Sequence, residues 1–239
     1  NHMVVDSTRG VTKYLSTDSA GAEATVTSRV ATLDTDGFTL NGASNPVNAA
    51  GATYVGWQWK ANGGTTSSNT DGSLTSTVQV NATAGFSILT YTTADTNETV
   101  GHGLGVTPDV IIIKRRDGSD VAWPVYFSFL TSTNKQAYLN QTTAVDSNNI
   151  DTVGASTYRV FGWPGTAAAD ADYVAYCFAS KQGYSKFGKY IGNGSGTSDR
   201  TFDGTFVYTG FKPAWVLVKP SSYSAGDGWI IYDNKRPRN

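Results

Sequence analysis

The sequence predicts an all-β protein, and more narrowly an internally duplicated antiparallel β-sandwich of the jelly-roll or concanavalin-like kind. Two stretches carry this prediction, Val106–Lys114 and Phe211–Lys219, which lie about 105 residues apart. Each follows a glycine, contains a proline, runs through apolar residues to a lysine, and precedes a tryptophan and a tyrosine. Apolar runs bounded by turn residues are typical of buried strands. Their recurrence at a fixed spacing indicates a duplicated unit.

The composition agrees with many short strands joined by turns. Charged residues make up 15% and aromatic residues 12% of the 239 residues, and glycine occurs 26 times. This mixture favours strands over helices. A formal net charge of −1 gives no indication of a nucleic-acid partner. Cys177 is the only cysteine, which excludes an intrachain disulfide, and no run approaches the roughly 20 apolar residues of a membrane span.

The repeats divide the chain into segments: residues 1–3, which resemble a cloning remnant, 4–60 together with 183–239 as one unit, 61–84 as a linker and a strand, and 85–182 as a second unit. Two halves of about 120 residues in series are one arrangement, within the usual size of a domain. The other is a permuted unit closed by the two ends of the chain, which we favour because chain termini often lie close together. It predicts that Val5 and Tyr232 belong to adjoining strands.

Strands are predicted in order wherever apolar and polar residues alternate between turn residues: Arg29–Leu33, Phe38–Leu40, Thr53–Lys60, Ser73–Val80, Gly85–Tyr91, Val106–Lys114, Asp172–Ala179, Gly183–Tyr190 and Phe211–Lys219. A hydrophobic–Asp–x–x–Arg pattern also recurs, at Val5–Arg9 and Tyr232–Arg236. In Thr53–Lys60 the alternation places Val55, Trp57 and Trp59 on one face. We interpret them as an aromatic stripe in the core; the alternative is a platform on which sugars stack.

Several motifs together resemble a repeated domain of virion and tail-associated structural proteins of tailed phages, particularly marine and cyanobacterial ones. They lie at residues 54–64 (YVGWQWKANGG), 85–91 (GFSILTY), 100–108 (VGHGLGVTP), 173–179 (YVAYCFA), 183–194 (GYSKFGKYIGNG) and 208–216 (YTGFKPAWV). The resemblance implies a β-sandwich module on a virus particle, made in the host cytoplasm. Its implied partners are other virion proteins, a host-surface glycan and further copies of itself, as a trimer in a fibre. It implies no catalytic residue and no cofactor.

His102 is the candidate for acid–base chemistry, because His2 lies in the presumed remnant. A general base needs a positioned partner, and the second copy of the unit has no equivalent histidine. We therefore expect a solvated loop histidine that at most contacts a ligand. The aspartates of Asp34–Gly37, Asp117–Asp120 and Asp146 offer oxygen ligands for calcium. Asp-Gly is foremost a turn signal, so no metal site is predicted.

Two further features are candidates for ligand binding. The run Lys114, Arg115, Arg116 ends a predicted strand; charge that keeps an edge soluble is the simpler interpretation, and contact with an acidic glycan or a neighbouring subunit is the functional one. Trp163, in a turn-rich loop, is the best candidate for an exposed ring that stacks on sugar, although capping the sandwich is the simpler role.

These observations favour a non-enzymatic structural or adhesive module of a phage tail, fibre or decoration. The alternative is a lectin-like carbohydrate-binding module. A hydrolase is the least favoured class, because no nucleophile, base and orienting group can be assembled around His102.

Overall fold

The computed structural model describes residues 2–42, 46–94, 97–118, 121–130, 135–143, 146–147, 152–160, 170–194, 203–222 and 227–236. Within these ranges the chain contains strands and no helix, which confirms the all-β prediction. The strands are β1 (Met3–Val4), β2 (Lys13–Ser16), β3 (Ala24–Thr25), β4 (Val30–Leu33), β5 (Phe38–Leu40), β6 (Ser67–Asn69), β7 (Ser76–Asn81), β8 (Phe86–Thr92), β9 (Glu98–Gly101), β10 (Val110–Arg115), β11 (Pro124–Phe127), β12 (Lys135–Tyr138), β13 (Asp146–Ser147), β14 (Thr157–Val160), β15 (Asp172–Phe178), β16 (Trp215–Val218) and β17 (Ile230–Asp233).

An eight-stranded antiparallel sheet, in the order β13-β12-β11-β10-β15-β8-β7-β6, forms the centre of the molecule. Its middle strands, β10, β15 and β8, are the apolar runs that the sequence marks as buried. Side chains alternate between the two faces of a strand. Tyr173, Ala175 and Cys177 therefore pack on one face with β9 and β14, while Val174 and Tyr176 pack on the other.

The second face is covered by the start of the chain. The three-stranded sheet β1-β2-β3 places Leu15, which is fully buried, against Phe86, Ile88 and Trp123 of the central sheet. Burying apolar side chains between two layers removes them from water and is the main stabilising term of a sandwich. The antiparallel β-sandwich prediction is confirmed, with residues 3–25 as part of its second layer.

The predicted duplication is visible in the strand register. Ile112 of β10 lies opposite Val125 of β11, and Leu217 of β16 lies opposite Ile231 of β17. Neighbouring positions agree in the same way, pairing Ile111 with Tyr126, Val216 with Tyr232, Val110 with Phe127 and Trp215 with Asp233. A one-residue slip would turn every side chain to the other face, so the equal register confirms that the two hairpins are copies of one element.

Three expectations about the units differ from the structure. Thr53–Lys60 and Gly183–Tyr190 contain no strand, although their counterparts are β15 and β8. Within residues 61–84, β7 matches the predicted strand Ser73–Val80, but the part expected to be a linker contains β6, and both strands form one end of the central sheet. Val5 and Tyr232 do not lie in adjoining strands: among the described residues, β1 pairs with β2, and β17 with β16. The reason is that the N-terminal segment covers the central sheet instead of joining the C-terminal hairpin.

Candidate binding surface and buried polar network

The turn after β1 is closed by the aspartate and arginine of the recurrent motif. The Oδ1 atom of Asp6 accepts hydrogen bonds from the backbone N–H groups of Thr8 and Arg9, at 3.1 and 2.9 Å. The Nε atom of Arg9 donates to the Oδ2 atom of Asp6 at 2.6 Å, and an Nη atom of Arg9 donates to the carbonyl oxygen of Val4 at 3.4 Å. Asp6 and Arg9 are only three positions apart in the chain, so their side chains can close this loop without a contribution from another segment.

This N-terminal loop is bound to the second layer and to the central sheet. The side chain of Arg9 is fully buried and donates to Glu23 at 2.9 Å and to the hydroxyl of Tyr176 at 3.1 Å. The hydroxyl of Tyr176 in turn donates to Asp6 at 2.7 Å. Glu23 also accepts two hydrogen bonds from Arg116, both at 3.0 Å. Because each charge has several partners, the cluster compensates the desolvation that its burial requires.

The pKa values of the cluster follow from this arrangement. Burial alone would raise the pKa of Glu23, but the hydrogen bonds from Arg116 and Arg9 outweigh it and lower the pKa. Burial alone would lower the pKa of Arg9, but Tyr176, Asp6 and Glu23 raise it above its ordinary value. Burial raises the pKa of Tyr176, so its hydroxyl keeps its proton and acts as a donor. The cluster is a structural brace held in its charged form.

The same loop recurs after β17, 227 positions later in the sequence. The Oδ1 atom of Asp233 accepts from the N–H groups of Lys235 and Arg236, at 3.0 and 2.9 Å. Arg236 donates through Nε to the Oδ2 atom of Asp233 and through an Nη atom to the carbonyl oxygen of Ile231, at 3.2 Å. Among the described residues, all hydrogen bonds of Arg236 remain inside this loop. Its side chain is 43% exposed, whereas that of Arg9 is 0% exposed.

A buried lysine and a tryptophan connect the β10–β11 hairpin to the N-terminal segment. The Nζ atom of Lys114 donates to the carbonyl oxygens of Ala20, at 2.8 Å, and Val121. The Nε1 atom of Trp123 donates to the carbonyl oxygens of Ser16 and Ser19, both at 3.0 Å. We call this pair of side chains the lysine–tryptophan clamp. The carbonyls of Ser16, Ser19 and Ala20 give these two buried side chains their acceptors, which fixes the N-terminal segment to the hairpin.

The β16–β17 hairpin carries an equivalent clamp. Lys219 donates to the carbonyl oxygens of Asp227 and Thr142, at 2.8 and 3.0 Å, and Trp229 donates to that of Tyr138 at 2.9 Å. The first clamp holds residues that begin at the end of β2, and the second holds residues that begin at the end of β12. Each hairpin therefore binds the backbone of a segment that precedes it in the chain, in the same way.

The cationic run does not form a binding patch. Lys114 is fully buried on a strand that has a neighbour on each side, so neither the soluble-edge nor the glycan interpretation applies to it. Arg116 is paired with Glu23 through both oxygens of that carboxylate. Arg115, which remains partly exposed, pairs with Asp117 at 3.0 Å. The three charges are visible in the sequence, but their partners are not, because they lie up to 94 positions away.

His102 is buried, so the expectation of a solvated loop histidine is wrong. Its Nδ1 atom accepts from the backbone N–H of Leu104 at 3.2 Å. The proton must then be on Nε2, which donates to the carbonyl oxygen of Gly154 at 3.2 Å. Burial lowers the pKa of His102 despite that hydrogen bond. The neutral imidazole joins two loop segments and is not presented to a substrate.

The aromatic stripe is core in one copy and surface in the other. Val174 and Tyr176 are buried, as expected, and Cys177 beside them is a buried thiol whose pKa is raised by burial. In the other copy, Val55, Trp57 and Trp59 correspond to Val174, Tyr176 and Phe178 and are 52%, 44% and 42% exposed, so the core interpretation is wrong for them. Both indoles contact Trp215 edge to face, with ring centroids 6.2 and 5.9 Å away. Trp163 lies outside the described residues.

The aspartates considered for calcium have other roles where the structure describes them. Asp34 accepts hydrogen bonds from the hydroxyls of Thr32 and Thr39, which closes the β4–β5 turn. Asp117 pairs with Arg115. The side chains of Asp120 and Asp146 lie outside the described residues. Across the described ranges, no three histidine, cysteine, aspartate or glutamate side chains come together as a metal site, and no helix is long and apolar enough to span a membrane.

Comparison with known proteins gives one match. A family described as a domain of unknown function, DUF7483, matches residues 1–239. No curated protein and no solved structure matches the chain.

The two Asp–x–x–Arg loops provide a matched test of burial. Replacing Arg9 with methionine leaves Asp6 buried without its cationic partner and Glu23 with Arg116 alone, which we expect to cost about 3–5 kcal/mol. Replacing Arg236 with methionine removes a solvent-exposed pair and should lower the free energy of unfolding much less. Denaturant unfolding of both variants measures the difference. Equal losses would contradict the assignment of Arg9 as a buried brace.

His102 should make stability depend on pH near neutrality. Its pKa is lowered in the folded chain, whereas an unfolded histidine titrates at about 6.5. Below that pH the unfolded state binds the extra proton, so stability is complete above about pH 6.5 and falls as the pH decreases, by at most about 1.4 kcal/mol per unit. The variant His102→Asn, which retains an acceptor for Leu104, should flatten this slope between about pH 6.5 and 5. Unfolding curves across that range measure it, and identical slopes would refute the role of His102.

Proposed function

The chain belongs to the DUF7483 family, and we propose that it is a non-enzymatic structural and adhesive module of a virus particle. The observation that carries this proposal is the repeated lysine–tryptophan clamp. Lys114 with Trp123, and Lys219 with Trp229, bind backbone carbonyls of preceding segments. Side chains of this kind often serve binding or catalysis elsewhere, but here they join one β-element to the next. A protein in which this connection is repeated is suited to a structural role in a larger assembly.

The placement of the reactive groups supports the same proposal. His102, Lys114 and Cys177 are all fully buried and lie within the sandwich. A general base must come within hydrogen-bond reach of its substrate, and none of these three groups is offered to solvent. The resemblance of the glycine- and aromatic-rich motifs to virion-associated domains supplies the particle as the expected location.

The particle itself provides the test of location. If the chain is a virion component, its peptides should co-purify with particles produced by the genome that encodes it, through a density gradient. Mass spectrometry of the gradient fractions measures this, and an antibody against the chain should label intact particles in electron micrographs. A nonstructural protein made in the same infected cells serves as the control. Recovery of the chain only in the particle-free fractions would contradict the proposal.

A second candidate function, carbohydrate binding, is favoured by the exposed tryptophans. Trp57 and Trp59 are each more than two-fifths exposed, and both lie against Trp215. Tyr54 and Val55, in the same segment, are about half exposed. Exposed flat rings stack on the apolar faces of sugars while the hydroxyl groups of the sugar remain hydrated. On a virus particle, such a platform would attach the module to host-surface glycan.

Substitution of the tryptophans tests this second function. On an array of bacterial-surface polysaccharides, Trp57→Ala and Trp59→Ala should each weaken binding about tenfold, the effect of losing a ring contact worth about 1.4 kcal/mol. Phe38→Ala removes a similarly exposed ring from β5 and is the matched control. Absence of glycan binding by the unmodified chain, or equal binding by all variants, would refute the carbohydrate function and leave the structural one unaffected.

A further inference from the structure

Three strands of the chain, β1, β11 and β17, are copies of one element. Ile231 of β17 corresponds both to Val125 of β11, by register, and to Val4 of β1, by the loop that follows. Both loops have an aspartate that accepts two backbone N–H groups and an arginine that binds the aspartate and a strand carbonyl. The chain therefore contains the same strand and loop twice, once at each end of its described part.

The sheets around these two copies are complementary fragments. In the central sheet, β10, β11, β12 and β13 follow one another without a break. The β16–β17 sheet corresponds to the first two of these strands, and in the part of the chain that the structure describes no strand follows β17 in it. The β1-β2-β3 sheet corresponds to the last three and begins at β1. If β17 replaced β1 beside β2, the two fragments would become one sheet, β16-β17-β2-β3, in the order of the complete one.

We propose that copies of this chain associate head to tail by strand exchange, in which Ile230–Arg236 of one copy takes the place of Met3–Arg9 on the next. Ile231 would then pair with Leu15, as Val4 does within one chain. Within a single chain, β17 is held by Trp229 against Tyr138, and β2 already has β1 as its partner. The strand that replaces β1 therefore comes from a second copy.

Exchange preserves the hydrogen bonds that hold the loop. Asp233 would accept from the hydroxyl of Tyr176, and Arg236 would donate to that hydroxyl and to Glu23, as Asp6 and Arg9 now do. The guanidinium of Arg236, now 43% exposed, meets a carboxylate of opposite charge in that position. Exchange of equivalent elements between protomers is a low-cost route to association because few new contacts are needed.

Competition with the chain's own loop controls the exchange. A tethered segment competes at an effective concentration on the order of millimolar, so Met3–Arg9 keeps its position in most molecules. Weakening that loop should therefore increase self-association, which is the opposite of what loss of an ordinary interface residue does. Each exchanged copy still has a free C-terminal hairpin, so the contact is heterologous and extends into open chains of molecules.

The first test weakens the N-terminal loop. Asp6→Ala removes the acceptor that closes it, and sedimentation of the full chain should show self-association at least tenfold tighter than that of the unmodified chain. Adding Arg236→Ala should reverse this increase, while adding Arg115→Ala, which removes another exposed ion pair, should not. A monomeric Asp6→Ala variant, or association that persists with Arg236→Ala, would overturn the proposal.

The second test keeps both loops and decides the matter if Asp6→Ala does not fold. The Oγ atom of Ser7 lies 3.2 Å from the Oε1 atom of Gln79, and Asn234 corresponds to Ser7. The pair Gln79→Cys with Asn234→Cys should form disulfides between chains, reduced at least fivefold by Arg236→Ala. The pair Gln79→Cys with Ser7→Cys is the control and should link within one chain. Linkage of Asn234→Cys only within one chain, or no linkage at all, would overturn strand exchange. Neither test depends on glycan binding or on the presence of a virus particle.

Discussion

The requirement that buried side-chain donors have acceptors determines how the two layers of this molecule are joined. The ammonium group of Lys114 and the indole N–H of Trp123 belong to buried side chains, and a buried donor without an acceptor is costly. Lys114 and Trp123 supply donors from the central sheet to Ala20, Ser16 and Ser19. The central sheet can bury the ammonium group of Lys114 because the N-terminal segment supplies an acceptor for it. The two layers of the sandwich are therefore mutually dependent.

The sequence predicts local structure correctly where a residue pattern is compatible with a single backbone geometry. The apolar runs at Val110–Arg115 and Asp172–Phe178 are strands, and the two hairpins have equal register, with Tyr126 and Tyr232 at equivalent positions. Local spacing also explains the Asp–x–x–Arg loops, because all their internal hydrogen bonds lie within five residues. These features required no knowledge of which distant segments would meet.

Burial could not be predicted in the same way, because it depends on what covers a face. Trp57 and Trp59 alternate like Tyr176 and Phe178. However, Tyr176 and Phe178 lie in β15, which has a hydrogen-bonded strand on each side, whereas Trp57 and Trp59 lie in a segment that forms no strand. His102 lies in a glycine-rich stretch that is typical of exposed loops, but β14 and the turn before it cover the histidine. The charge of Lys114 alone suggests an exposed residue. The recurrence of a lysine at the end of both apolar runs instead indicates a shared structural role.

The clamps also bear on how this protein can change over time. Lys114, Trp123, Lys219 and Trp229 bind main-chain oxygens, which every amino acid possesses. The segments they hold can therefore accumulate substitutions without losing those bonds, provided that the backbone keeps its path. Hydrogen bonds to the main chain tolerate sequence divergence in the bound segment. Modules that share little sequence can therefore recombine between lineages and still pack against one another.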